Sequence, residues 1–240
     1  MQTQYSAPKV VMVATWLLRR IVGTGILRNS SQGDRSLYLI EFIHSLTNPS
    51  ERPTGPEPWD TIFEARDLLL AERFNDSEEA VARLRATCSL DAEHDLFLGL
   101  IELRNLLHLG LHEPLRATAK RVMAHPLYVN APDPLVRASV AVRIGSALDI
   151  LGDSDEAIRL TTEARYTFEA HGWHHEAGLA MTQIATMLRK RGDVVGATTL
   201  FLQAVDILDR YGTERESSLS RFMAGAALRI AENYTLAEEV

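Results

Sequence analysis

Apolar residues along this chain recur at steps of three to five. In residues 179–188, for example, Leu179, Ile184, Met187 and Leu188 fall on one side of a helix. Strand patterning is nearly absent: no run of alternating β-branched residues is bounded by Asn-Gly or Asp-Gly turns. From Pro58 onward the pattern predicts successive helices of roughly 13–20 residues with short joints. Gly110, Gly152, Gly172, Gly192 and Gly212 punctuate those joints. The stretch TNPSERPTGPEPWD (47–60) holds four prolines and cannot be helical. It sets residues 47–58 apart as a linker between an N-terminal segment, 1–46, and a helical body, 59–240. The N-terminal segment reads as two helices, about 8–22 and 35–46, joined by the polar loop RNSSQGDR (28–35).

The joints repeat. Gly152 and Gly192 are 40 residues apart, as are Gly172 and Gly212. A fixed period in this range is the mark of stacked repeats. LGDSDEAI (151–158) is followed by RGDVVGAT (191–198) and AENYTLAE (231–238). In the first copy Gly152 can take the left-handed conformation that closes a helix. Asp153 is placed to cap the next helix, with Glu156 three residues on to complete a capping box. Two antiparallel helices should follow from such a joint. Small residues mark where they touch: Gly145, Ala157 and Ala164, then Ala185, Ala197 and Ala204, then Gly225 and Ala237. Leu148, Leu188 and Leu228 recur as the large partners, an alternation that interdigitates neighbouring helices.

These phrases resemble the tetratricopeptide repeat (TPR). IGSALDILGDSDEAIRLTTEA (144–164) and IATMLRKRGDVVGATTLFLQA (184–204) match nearly throughout, with Phe201 where the family favours an aromatic. FNDSEEAVARL (74–84) and LGLHEPLRATAKRV (109–122) match more loosely. The family period is about 34 residues; the longer period here is similar to the long-helix type found in bacterial signalling and transcription regulators. The resemblance implies an all-α, TPR-like solenoid of helical hairpins, with an N-terminal helical hairpin ahead of it. It also implies a ligand groove lined by the first helix of each hairpin. Aligned on the family, the groove positions are Arg104 and His108, then Ser139, Ser146 and Asp149, then Thr182, Thr186, Arg189 and Lys190, then Phe222 and Arg229. Arg189, Lys190 and Arg229 could grip carboxylates of an acidic peptide, although basic residues also suit a helix C-terminus. The last repeat shows a first helix, a joint and Ala237 before the chain stops. A solenoid ordinarily ends in a capping helix. The expectation is therefore a longer protein, or an open end covered by a partner or a second copy.

The formal net charge is -7. Residues 1–38 hold Lys9, Arg19, Arg20, Arg28 and Arg35 against Asp34, a net +4, which leaves -11 for the remainder. A basic hairpin docked on an acidic body is the simple reading, and the acidic body does not advertise nucleic-acid binding. One cysteine, Cys88, excludes an internal disulfide. VVMVATWLL (10–18) is too short to span a membrane, and its arginines follow rather than precede it, unlike a signal peptide. The expected location is the cytoplasm. HGWHHEAG (171–178) concentrates imidazoles that could ligate zinc or sense pH, yet it sits at a joint where polar residues belong. GTG (23–25) lacks the strand and the Lys-Ser/Thr of a phosphate loop. No spacing supports a catalytic constellation. The sequence thus reads as a non-enzymatic module without cofactor or metal. It would bind a protein or peptide partner, as the sensory or docking part of a bacterial regulator. The alternative is a self-associating scaffold that forms a homodimer through its C-terminal helices.

Overall fold

The computed structural model describes residues 58–230. The expected N-terminal helices, most of the linker, and the final phrase with Ala237 lie outside the described residues. Within them the chain forms ten α-helices: α1 (Trp59–Leu70), α2 (Phe74–Thr87), α3 (Ala92–Leu109), α4 (His112–Met123), α5 (Pro126–Val129), α6 (Pro134–Ile150), α7 (Ser154–Ala170), α8 (His174–Lys190), α9 (Val194–Tyr211) and α10 (Glu214–Ile230). They form hairpins α1–α2, α3–α4, α6–α7 and α8–α9, and α10 packs on α9. The first helices also stack on one another, α1 on α3, α3 on α6, α6 on α8 and α8 on α10. Among the described residues the extensive packing of each hairpin is with its neighbours in sequence, as in a solenoid.

The glycine joints close helices as expected. Gly110, Gly152, Gly172 and Gly192 have φ of 68°, 92°, 73° and 88°, a region that side-chain-bearing residues rarely enter. Gly212 differs, with φ -93°. There α10 begins instead with a capping box from Thr213 and Glu216. The Glu216 carboxylate accepts from the Thr213 backbone N–H at 2.8 Å, and the Thr213 hydroxyl accepts from the Glu216 N–H at 3.3 Å. The expected box at Asp153 and Glu156 does not form. Asp153 makes no side-chain cap bond and lies 3.8 Å from Arg116. Glu156 is held through both oxygens by Arg159, at 2.8 and 2.6 Å. A guanidinium fork three residues away outcompetes one backbone N–H. In the next repeat the cap does form, from Asp193 to the Gly196 N–H at 2.9 Å.

Small residues sit where the hairpins cross. Ala157, Ala185, Ala197 and Ala204 are wholly buried. A continuous core runs from Ile62 and Phe63 to Ala177 and Met187. Smaller clusters around Phe201 and Leu208 continue it to α10. Two of the polar exceptions link three helices: Asn105 donates to Ser77 Oγ at 2.9 Å, and Ser77 donates to the Ala65 carbonyl at 2.7 Å. These bonds fix the rotation of α1, α2 and α3 against each other.

Candidate functional site

The first helices present a common inner face. Their row curves enough that Arg215, in the first turn of α10, comes 3.8 Å from Glu72 in the α1–α2 joint. Several of the expected groove residues join neighbouring helices along this face. Lys190 on α8 donates to Asp149 on α6 at 2.6 Å, and Asp149 also accepts from Ser154 at 3.4 Å. Ser146 accepts from Gln183 at 2.7 Å and donates to the Val142 carbonyl at 3.3 Å. Thr182 shares a hydrogen bond with Ser220 of α10 at 2.8 Å. Thr182 and Thr186 also lie within bonding distance of the carbonyls four residues back, Gly178 and Thr182, as hydroxyls in helices commonly do.

The remaining expected residues are more dispersed. Ser139 is buried, and its carbonyl accepts from Arg143 at 2.9 Å. His108 stacks on Phe74, with ring centroids 4.3 Å apart. Burial and the neighbouring Arg104 charge hold it below the ordinary imidazole range. Arg189 is half-buried, and its Nε has no hydrogen-bond partner. Phe222 and Arg229 are exposed on α10. The structure therefore brings together Ser146 and Gln183, Asp149 and Lys190, and Thr182 and Ser220.

Four charged residues of this face were not among the expected set: Glu72, Arg143, Glu176 and Arg215. Arg104, on α3, lies within electrostatic reach of Glu72 and Arg215. Arg143, on α6, lies within reach of Arg104 and Glu176. Burial, with Arg104 adding to it, pushes Arg143 down to about 10. The signal for Arg143 was present in the sequence, because it lies four residues after Ser139 and three before Ser146, on the same helical face. Glu176 and Gln183 share a face of α8 with Lys190 in the same way, at steps of seven. Glu72 gave no signal. It occupies the joint position that glycine fills in later repeats, yet takes φ 59°. A side-chain-bearing residue there costs roughly 1–2 kcal/mol.

The histidine-rich joint separates its imidazoles. His171 closes α7, with Nδ1 2.8 Å from the Thr167 carbonyl. His174 packs on the Tyr211 ring, and Trp173 stacks on Phe168. Among the described residues no three His, Cys, Asp or Glu side chains gather as a metal would require. His175 bridges repeats instead, with Nε2 2.9 Å from Glu216 at the start of α10 and Nδ1 3.7 Å from Glu176. The adjacent Glu176 carboxylate and then the bond to Glu216 raise it to about 9, against burial. A raised histidine stabilises the fold below its unfolded value and loses that contribution as pH rises through the folded one. Stability of the α8–α10 contact is thus expected to be complete below pH 6.5 and to fall as pH passes about 9. A denaturant midpoint followed across that range should fall in the native chain, and the fall should be smaller in His175→Asn.

No protein-family model matches the chain, and no curated protein matches it. Among solved structures, the chain is similar to a signal transduction ATPase with numerous domains (STAND) protein with a tetratricopeptide repeat sensor, from Pyrococcus horikoshii. The TM-score is 0.64 at 14% identity, over 93% of this chain and 33% of that one. The chain spans about a third of that protein's length. Among the described residues no helix is long and apolar enough to cross a membrane. At this identity the likeness speaks to architecture, and it agrees with the hairpins, the glycine joints and the stacked first helices: the fold is an α-helical solenoid of the tetratricopeptide-repeat type.

Proposed function

We propose that the inner, first-helix face binds a protein or peptide partner, and that the chain is the sensory or docking part of a bacterial regulatory protein acting in the cytoplasm. The observation that carries this reading is the composition of that face. Its core-facing positions hold small and aliphatic residues. Its outward positions hold Arg104, Arg229 and the half-buried Arg189, cations suited to carboxylates, beside Lys190, which Asp149 already holds. The neighbour's tetratricopeptide repeat sensor is consistent with a sensing role. The reading is of a binding module rather than an enzyme, and the partner segment it favours is acidic.

A peptide-display selection on the native chain tests this. Acidic sequences should be enriched, and their affinity should fall tenfold or more, which is about 1.4 kcal/mol, when Arg189 and Arg229 are both replaced by alanine. Enrichment without acidic residues, or affinity indifferent to the double replacement, would count against it.

A second reading has its own support. On α10, Leu219, Phe222 and Ile230 are exposed at 55%, 65% and 57%, and their spacing places them along one side of the helix. A second copy covering that stripe would make a homodimer. Light scattering across a wide concentration range decides it: a rising mass supports the dimer, and a constant monomer mass removes it.

A further inference from the structure

The exposed apolar residues of α10 lie between two arginines. At 3.6 residues per turn, Arg215, Leu219, Phe222, Ala226, Arg229 and Ile230 fall within an arc of about 100°, and no carboxylate of α10 falls in it. Leu219, Phe222 and Ile230 are exposed, as are both arginines. The arginines are 14 residues apart, or roughly 21 Å along the axis. Arg229 holds no ion pair among the described residues. Arg215 has only the 3.8 Å approach to Glu72 there, between two largely exposed side chains, a weak pair that a better acceptor displaces. The helix dipole suits Arg229 in the last turn, but it disfavours Arg215 in the first.

The repeat shows what kind of surface meets this arc. Leu219, Phe222 and Ala226 correspond, forty residues back, to Leu179, Thr182 and Thr186 of α8. There Thr182 bonds Ser220 of the next first helix at 2.8 Å, and Leu179 packs in one cluster with Ile207 and Leu208 of α9. The matching side of α10 is therefore a side on which helices stack. Phenylalanine and alanine replace the two threonines, so the surface that fits is apolar in its middle. A second copy laid antiparallel and centred on Phe222 would set Arg215, seven residues before it, against the second copy's Arg229, seven residues after it. That juxtaposition is repulsive. We propose that this side of α10 docks an amphipathic helix of a partner protein, apolar along its middle and carrying carboxylates toward both ends. The proposal rests on the reading of an acidic partner segment and gives that segment its shape. Aliphatic side chains at helical spacing would cover Leu219, Phe222 and Ile230, and the carboxylates would take the guanidinium forks of Arg215 and Arg229.

Fluorescence anisotropy with the whole chain and three synthetic peptides of about 18 residues, roughly 27 Å of helix, tests this. The first has a leucine stripe with glutamates at both ends. The second has the same residues in scrambled order, and the third has lysines in place of the glutamates. The first should bind saturably with Kd of about 100 μM or tighter, and about tenfold or more tighter than the other two. Phe222→Ser should weaken it by about tenfold, and Leu219→Ser repeats the test at another exposed position. Arg215→Glu combined with Arg229→Glu should transfer the preference to the lysine-ended peptide. Absence of saturable binding, equal binding of the scrambled peptide, or indifference to both serine replacements would each overturn the proposal. A mass that doubles on concentration, with the doubling lost in Phe222→Ser, would assign the stripe to a second copy and overturn it as well. Scrambled-peptide binding that needs Arg189 and Arg229 but not Phe222 would sink the helix proposal alone and leave the acidic-peptide reading standing.

Discussion

Replacing Gly145 by valine is expected to destabilise the solenoid by about 3 kcal/mol, the upper part of the range for overpacking a core. The reason lies in the α6–α7 crossing. A Cβ on Gly145 would lie 2.4 Å from the Thr161 hydroxyl oxygen and 3.2 Å from the Ala157 carbonyl. Neither neighbour can move easily. Thr161 is wholly buried, and its hydroxyl donates to that same Ala157 carbonyl at 2.8 Å. The carbonyl belongs to the helix backbone itself. Valine adds three carbons to a gap that does not accept one. For a chain of this size the melting temperature should fall by about 6–12 °C. Gly145→Ala should cost less, because alanine recovers about 1 kcal/mol of helix propensity. Thr161→Ala should rescue it in part, with a coupling of at least about 0.5 kcal/mol. Thermal unfolding followed by circular dichroism reads all of these. A valine variant as stable as the native chain would mean that the two helices do not approach so closely.

The second large effect concerns the carboxylates of α3. Glu102 is almost enclosed, with its side chain 8% exposed. It accepts from Arg85 of α2 at 2.5 and 3.2 Å and from Arg121 of α4. Asp95, seven residues earlier on the same face, accepts from Arg85 at 2.6 Å. It also lies 3.6 Å from His125 Nε2. Two acids on one helix thus clamp cations from its neighbours on either side. Glu102→Ala removes the shared acceptor and leaves two arginines competing for Asp95. Breaking a buried pair costs about 3–5 kcal/mol, and the partial exposure of Arg121 argues for the lower figure, about 3 kcal/mol. Replacing all four, Arg85→Met, Asp95→Asn, Glu102→Leu and Arg121→Met, should cost far less, because no charge of the network is left unpaired. Denaturant midpoints at neutral pH compare the two variants. A Glu102→Ala chain within about 0.5 kcal/mol of native would show that the network contributes nothing measurable.

The same network gives an acid limit. Burial pushes the Asp95 carboxyl up, but the hydrogen bond from Arg85 and the charges of Arg121, Arg85 and His125 outweigh it, holding it below its ordinary value of 3.8. A depressed carboxylate contributes stability above its unfolded value and loses it as pH falls through the folded one. The contribution from Asp95 should therefore be intact at neutral pH and disappear below about pH 3.8. Asp95→Asn should flatten that part of the stability profile.

The repeat architecture was legible because its signals are short and strong. Glycine at a fixed period, small residues at Gly145, Ala157 and Ala164, and helical spacing of leucines all act within one hairpin and need no tertiary information. What failed was finer. The capping box at Asp153 and Glu156 looked as good in sequence as the one that forms at Thr213 and Glu216. The difference is that Arg159 lies within reach of Glu156 and Arg116 within reach of Asp153, the latter a contact between hairpins. The short helix α5 was not anticipated; four residues beginning with a proline carry no periodicity. The family alignment placed the expected groove residues on α3, α6, α8 and α10. It could not show that Lys190 and Asp149 would find each other, or that Gln183 would reach Ser146. Those pairings depend on the angle between successive hairpins, to which no single repeat holds the key. Glu72 is the hardest case, since its left-handed backbone breaks the rule from which the joints were read.

The central claim is that the first-helix face is the binding face, and photo-crosslinking of a selected acidic peptide tests it most directly. Mass spectrometry of the adducts would locate the peptide on individual helices. The account predicts adducts on α3, α6, α8 and α10, concentrated near Arg189 and Arg229, and lost in the double alanine variant. Adducts confined to the outer helices α7 and α9, and unchanged in that variant, would contradict it.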